Sequence, residues 1–386
     1  MAQTFVLKDF LRHTNPSLVT EYCRRNNIPF ELKNKEDEDE TVNRFETIFN
    51  GLSREQQGQV ESDFQEINDL CPNASIAMLI QEAKDSGQPL PTEDLGKMSE
   101  HDSAFWFYLN QTQTFDKVSI LWEVNETLGW KEVYAGQVSL VKVSGKSEML
   151  KRALSVYLME TDLKGKNCKV EEYVRDGGIC YVAYPEDYAR ADVRYDDNNS
   201  LRKKEVRKPV FKIYFVYNPE EGRLRVKAGG GTEKIKAYQK IFMATVLEDK
   251  SDPVNDRIFD LDKLKDKNLI FSYEPEDHVE YVLIKTLRLK YFDGGKRITL
   301  DYGDGRGLAD LHDWIESLHI PLDMVHITQA IIIVKFKPTI KRSSGKVTVQ
   351  LSFPNSQNLA DKPLHNKVRE LLRRWGIDRN RDEAII

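Results

Sequence analysis

Two stretches in the second half of the chain alternate apolar and polar side chains on either side of a tight-turn sequence. Residues 211–217 and 223–227 place apolar side chains at every second position, and residues 218–222 supply turn-forming residues between them. The same arrangement recurs on either side of Asp293 and Gly294. A period of two favours strands, and a tight turn joins strands that run antiparallel. These hairpins predict antiparallel sheets and argue against a doubly wound parallel sheet.

Further segments extend this prediction through the last third of the chain. Residues 327–336 are apolar at nearly every position, which is typical of a central strand, and residues 347–353 alternate strictly. Residues 308–318 and 364–375 carry apolar side chains at helical spacing. Each of these helices has one apolar stripe, so we expect both to pack on a face of the sheet.

The first hundred residues have the pattern of short helices. Pro16 suits the first turn of a helix, and Ser53 with Gln56 fits a capping box. Residues 36–40 form an acidic run, which we interpret as a solvated connector, with a helix beginning at Thr41.

These patterns define an α+β fold, with a small helical N-terminal domain followed by antiparallel-sheet domains whose helices pack on one face. A chain of 386 residues exceeds one ordinary core. We predict an acidic helical domain over residues 1–100, a mixed α/β domain over residues 101–250 and a basic, β-rich domain over residues 251–386 that ends in an amphipathic helix.

Charge is unevenly distributed along the chain. Residues 1–100 contain 10 Lys and Arg against 19 Asp and Glu, whereas residues 281–386 contain 18 against 12. An acidic head and a basic tail predict segregated surfaces, and a basic surface attracts nucleic acid or an acidic protein.

The apolar runs, the N-terminus and the cysteines indicate in which cellular compartment the protein is expected. No apolar run approaches the roughly 20 residues of a membrane span, and the N-terminus lacks the pattern of a signal peptide. The four cysteines lie far apart with no C-x-x-C pair. We therefore expect a cytoplasmic protein without disulfides, without a membrane partner and without a cofactor.

Three motifs suggest chemistry but have simpler explanations. Residues 229–231 are glycines before Thr232, a layout that suits a phosphate loop but lacks its spacing, so we expect a Thr-capped helix start. Residues 301–307 mix acids and glycines but do not fit a calcium loop, so we expect a strand-to-helix loop.

The third motif is a set of histidines, His312, His319 and His326, spaced by seven. Two of them would lie two helical turns apart, which is too far for one zinc ion, and Pro321 removes the third from the helix. We expect partly exposed histidines and no metal site.

A metal-dependent hydrolase or nuclease is the alternative function. No catalytic motif is visible, so its site would have to be assembled from residues distant in sequence. Glu280 with Asp301 and Asp304 would be the first candidates, because a hairpin can bring carboxylates together around Mg²⁺.

The basic tail offers the strongest candidate site. Clustered cations neutralise phosphates without regard to sequence, and the competing interpretation is a solvated surface or a protein interface. The residues that we predict to contact nucleic acid or a partner are Arg288, Lys290, Arg297, Lys335, Lys337, Lys341, Arg342, Arg373 and Arg374.

Segments at residues 180–188, 211–222 and 371–376 resemble stretches of large bacterial proteins, and none is a catalytic motif. With separated charge and 10% aromatic residues suited to interfaces, these observations favour a non-enzymatic subunit or adaptor. We expect it to act in a bacterial multiprotein complex, in antiviral defence or nucleic-acid processing, with protein partners, a nucleic-acid contact and self-association all compatible with its surfaces.

Overall fold

The computed structural model describes residues 5–33, 37–90, 97–175, 177–195, 200–293, 295–339, 344–360 and 362–380. The chain forms two compact units. The helical unit comprises Met1–Val124 and Ala189–Arg207, and the sheet unit comprises Asn125–Tyr188 and Lys208–Ile386.

The helical unit is built from seven described helices and one hairpin. Its helices are Leu7–Arg12 (α1), Pro16–Arg25 (α2), Glu38–Asn50 (α3), Arg54–Asp69 (α4), Asn73–Asp85 (α5), Glu100–Asn110 (α6) and Thr112–Glu126 (α7), the last two residues of α7 belonging to the sheet unit. Its hairpin is Arg190–Tyr195 (β4) with Leu201–Arg207 (β5). Aromatic side chains dominate the core, where the rings of Phe64 and Phe105 lie 5.4 Å apart.

Side-chain caps explain where two of these helices begin. Ser53 and Gln56 form the predicted capping box at the start of α4. Asp37 and Glu40 form a second capping box, so α3 begins at Glu38 rather than at Thr41. Part of the acidic run is therefore helical, because a carboxylate satisfies the free N–H groups of the first turn.

The first sheet of the sheet unit has five antiparallel strands in the order β1-β7-β6-β3-β2. Its strands are Lys131–Tyr134 (β1), Cys168–Arg175 (β2), Gly178–Pro185 (β3), Ile213–Asn218 (β6) and Arg223–Lys227 (β7). Helices Leu140–Val143 (α8), Ser147–Asp162 (α9) and Gly231–Thr245 (α10) accompany it. The predicted turn at residues 218–222 joins β6 and β7, as their register confirms.

The second sheet has the order β10-β9-β11-β12-β13 and is also antiparallel. Its strands are Val279–Tyr291 (β9), Arg297–Arg306 (β10), Val325–Phe336 (β11), Gly345–Ser352 (β12) and Ser356–Gln357 (β13). Helices Leu308–Ser317 (α11) and Pro363–Arg374 (α12) contribute to its core, and Arg257–Phe259 (β8) pairs with Asp378–Asn380 (β14). The predicted central strand is central, and β9 pairs with β10 around Asp293, although Gly294 lies outside the described residues.

The α+β class is confirmed, with a helical N-terminal region followed by antiparallel sheets. Three hydrophobic cores, centred on the helical unit and on each sheet, organise the chain. The predicted boundaries at residues 100 and 250 stay predictions. The observed helical unit extends to Val124 and includes Ala189–Arg207, which sequence patterning did not indicate.

A buried carboxylate anchors the last helix to the start of β9. The Asp277 side chain is 3% exposed and accepts from Lys367 at 2.8 Å, from Arg374 and from the Glu274 N–H at 2.8 Å. Burial by itself raises the pKa of Asp277, but these contacts outweigh it and lower the pKa to about 2. The negative charge therefore stabilises the folded state.

Replacing this carboxylate tests the anchor. Asp277→Asn should lower the free energy of unfolding by about 3 kcal/mol at pH 7, because two cations lose a buried partner. Since the folded pKa of Asp277 lies below its ordinary value of 3.8, the stabilisation is complete above about pH 4 and is lost as pH falls towards 2. Urea unfolding of the wild type and of Asp277→Asn between pH 7 and pH 2.5 should show their free energies of unfolding converge as the pH falls.

Glu276→Gln is the matched control, since Glu276 is exposed in the same turn. Its effect should stay within about 0.5 kcal/mol at every pH. If Asp277→Asn lowers the free energy of unfolding by as much at pH 2.5 as at pH 7, the electrostatic anchor is contradicted.

Candidate functional site

Among the described residues, the helices that pack on the second sheet, α11 and α12, cover one of its faces. Buried side chains on that face, such as Leu287, Ile332 and Val349, pack with α11 and α12. The opposite face, which we name the open face, carries mostly polar and charged side chains from four strands, although Thr286 and Ile333 are buried on it. It consists of Tyr281, Leu283, Thr286, Arg288, Lys290, Arg297, Thr299, Asp301, His326, Gln329, Ile331, Ile333, Lys335, Lys346, Thr348, Gln350 and Ser352.

Strand register brings three of the predicted site residues together at one end of the open face. Arg297 is directly opposite Lys290, which is in turn opposite His326 on β11. Arg288 lies in the adjacent row, opposite Thr299. Directly opposed side chains in a sheet have Cβ atoms about 5 Å apart. The hairpin therefore concentrates three positive charges within two rows.

None of these three cations has an acidic partner among the described residues. The nearest acid on the face, Asp301, accepts from the Gly303 N–H at 2.8 Å and from Thr286 Oγ1 at 3.0 Å. Those two hydrogen bonds lower the pKa of Asp301 below its ordinary value, so it stays ionised and already bonded. By contrast, the neighbouring His326 is paired with Asp262 at 2.6 Å.

A second pair of like charges lies at the other end of the open face. Lys335 is directly opposite Lys346, and the only hydrogen bond that the described residues give the Lys335 ammonium runs to Ser344 Oγ, at 3.2 Å. Like charges that face each other across strands destabilise a sheet. The open face therefore contains two arrangements that oppose folding and attract anions.

An exposed aromatic ring lies beside the three-cation end. Phe292, immediately after β9, is 54% exposed, and its ring centroid is 4.5 Å from that of His326. The Lys265 ammonium lies 5.8 Å from the same ring. Sequence analysis missed Phe292, although an aromatic residue immediately before a turn was a usable signal. Cations beside an exposed ring can hold phosphates and stack a base.

The remaining predicted site residues go to different places. Lys337 is exposed just beyond β11, and Lys341 and Arg342 lie outside the described residues. Arg374 is engaged with Asp277, so its role here is the structural anchor described above. Arg373 lies 3.6 Å from the carboxylate of Asp378, away from the open face.

The structure does not assemble the carboxylates of the alternative site. Asp301 is opposite Thr286 on β9, six residues from Glu280, which corresponds to about 20 Å along an extended strand. Asp304 is exposed in the irregular part of β10. Over the described residues, no group of three or more His, Cys, Asp or Glu could hold a metal ion.

Three further expectations from the sequence motifs differ from the structure. Residues 301–306 belong to β10, which contains a register shift there, and are not a free loop. Helix α10 begins at Gly231 with Gly230 as its N-cap, so Thr232 does not cap it. His312 is buried, 3% exposed, with Nε2 3.0 Å from the carbonyl oxygen of Leu264, whereas we expected partial exposure.

A cavity of about 590 Å³ lies within the helical unit. Polar groups along it already have partners: the Asn15 N–H donates to Asp102 at 2.6 Å, and Asp37 accepts from the Glu40 N–H at 2.8 Å. Both contacts hold the ends of helices in the unit.

Comparison of the chain with protein-family models, with curated proteins and with solved structures gives no match. Within the described ranges, no helix combines the length and hydropathy that a membrane crossing requires.

The like-charge pair at the three-cation end generates a stability prediction. Arg297→Glu places opposite charges in the pair with Lys290, so the free energy of unfolding should rise by about 0.5 kcal/mol. Lys296→Glu makes the same charge change one residue away, outside the strand pairing, and should leave stability unchanged. Urea unfolding at low salt measures both, and equal effects would contradict the proposed repulsion.

Proposed function

We propose that this chain is a cytoplasmic, non-enzymatic subunit or adaptor that binds single-stranded nucleic acid on its open face. The observation that carries the proposal is the group of Arg288, Lys290 and Arg297, exposed or half-buried and without acidic partners among the described residues. Phosphates supply the negative charge that this group lacks.

The exposed ring of Phe292 favours a single strand over the alternatives. An aromatic ring next to cations stacks on unpaired bases, which are accessible in a single strand and hidden in a duplex. An acidic protein would also neutralise the cations, but it would not require an exposed aromatic ring. Polar, uncharged neighbours such as Thr299 and Gln329 add hydrogen-bonding groups to the same rows.

The acidic N-terminal region supports a role within a larger assembly. Residues 1–100 carry an excess of acidic residues, whereas the cations of the open face lie in the basic part of the chain. A protein partner of the helical unit would leave the open face available for nucleic acid. Size-exclusion chromatography of the purified protein, with and without lysate, tests whether it assembles with partners. A solitary monomer that catalyses a reaction would contradict the subunit proposal.

Charge reversal on the open face tests nucleic-acid binding. In about 50 mM salt, fluorescence anisotropy should show binding of single-stranded DNA or RNA that weakens steeply with added salt. The combined Arg288→Glu, Lys290→Glu and Arg297→Glu variant should lose at least about tenfold in affinity, uniformly across sequences. The matched control reverses three exposed lysines elsewhere, Lys97, Lys166 and Lys250, and should retain most of the affinity.

Phe292→Ala separates stacking from charge. It should weaken single-strand binding by about tenfold, the order expected for one stacked base, while leaving duplex binding unchanged. No anisotropy change at tens of micromolar wild-type protein would refute the nucleic-acid proposal. A salt-sensitive complex with an acidic protein, abolished by the same triple reversal, would instead identify a protein partner.

A further inference from the structure

A second concentration of cations lies inside the sheet unit, away from the open face. We name it the arginine pocket. Five arginines and two carboxylates line it, from strands of the first sheet, from the β8–β14 pair and from α12. The lining residues are Trp130, Glu132, Arg223, Arg225, Asn255, Arg257, Phe259, Asn355, Gln357, Arg369, Arg373 and Asp378.

Ion pairs and hydrogen bonds hold most of the guanidinium groups of the pocket. Arg223 is held by both carboxylate oxygens of Asp256, at 2.9 Å for Nη2 to Oδ2. Arg369 donates to the carbonyl oxygens of Leu359 and Ala360, at 3.0 and 3.1 Å. These contacts fix the guanidinium groups before any ligand arrives, which reduces the entropic cost of binding.

Two buried atoms in the network lack hydrogen-bond partners among the described residues: Nε of Arg257 and Oδ1 of Asp378. The Asp378 side chain is only 7% exposed, and its other oxygen, Oδ2, accepts from Arg257 Nη1 at 2.7 Å. An unpaired buried polar atom costs free energy. Arg257 Nε needs a hydrogen-bond acceptor, and Asp378 Oδ1 needs a donor.

The pocket is small and reaches solvent. Its volume is about 30 Å³, which leaves room for a small ion and not for a nucleobase. The Arg373 side chain, 39% exposed, connects it to the surface. Burial raises the pKa of Asp378, whereas the charges of Arg257 and Arg373 oppose this shift.

We propose that the arginine pocket binds a small oxyanion that still carries a proton at neutral pH, of the class of hydrogen phosphate and hydrogencarbonate. An oxygen of the anion accepts from Arg257 Nε, and its O–H group donates to Asp378 Oδ1. Guanidinium groups pair well with such anions. This ligand meets both unfilled requirements of the pocket, whereas a fully deprotonated anion meets one and repels the carboxylate.

Sulfate is similar in size to phosphate but carries no proton at neutral pH, so it tests whether the O–H group of the anion is required. At pH 7.5, isothermal titration calorimetry with inorganic phosphate should give binding at least about tenfold tighter than with sulfate, because sulfate leaves Asp378 Oδ1 without a donor. Asp378→Asn supplies an N–H donor and should lose this preference, with sulfate affinity rising. Parallel titrations with hydrogencarbonate and with a nucleoside monophosphate, whose second pKa is about 6, identify which oxyanion fits. The monophosphate should bind weakly.

Two further variants keep the proposal falsifiable if Asp378→Asn fails to fold. Arg373→Gln, at the exposed mouth, should weaken phosphate binding by about tenfold. Arg152→Gln removes the same charge from an exposed helix position that belongs neither to the pocket nor to the open face, and should leave phosphate binding unchanged. Equal affinities for phosphate and sulfate, or no heat up to about 10 mM phosphate, would overturn the proposal and leave a buried water as the occupant. Neither result would bear on nucleic-acid binding by the open face.

Discussion

The helices that the structure describes on the second sheet cover only one of its faces, and much of the surface chemistry of the sheet unit follows from this constraint. Helices α11 and α12 bury the apolar face, so the side chains there are selected for packing. At one end of the other face the side chains are exposed or half-buried, and they are free of that requirement. Arg288, Lys290 and Arg297 lie there at little cost in desolvation, because strand alternation sends every second side chain outward.

Two features of the sheet unit oppose its own stability. Like charges face each other at Lys290 with Arg297 and at Lys335 with Lys346, and two buried polar atoms of the arginine pocket have no hydrogen-bond partner among the described residues. Local arrangements that violate folding rules mark functional sites more often than the rest of a protein. Both features would be relieved by an anion. We therefore consider them sites that binding completes, instead of defects of packing.

Elements with a local signal could be predicted, and contacts between distant segments could not. The turn at residues 218–222, the central strand β11 and the Ser53 capping box each depend on a few neighbouring residues. The Asp37 box had an equally local signal, but the surrounding run of acids concealed it. The sequence did not indicate that the hairpin within Ala189–Arg207 joins the helical unit, because this membership depends on tertiary packing.

The two anion sites differ in the chemistry they accept, and this difference separates their roles. A phosphodiester backbone carries no proton at neutral pH, so it cannot donate to Asp378 Oδ1, and the pocket is too small for a chain. The open face has no unfilled acceptor of that kind: Asp301, its one described carboxylate, already has two donors. The two proposals therefore assign nucleic acid to the open face and a small protonated oxyanion to the arginine pocket, and occupancy of one site does not exclude the other.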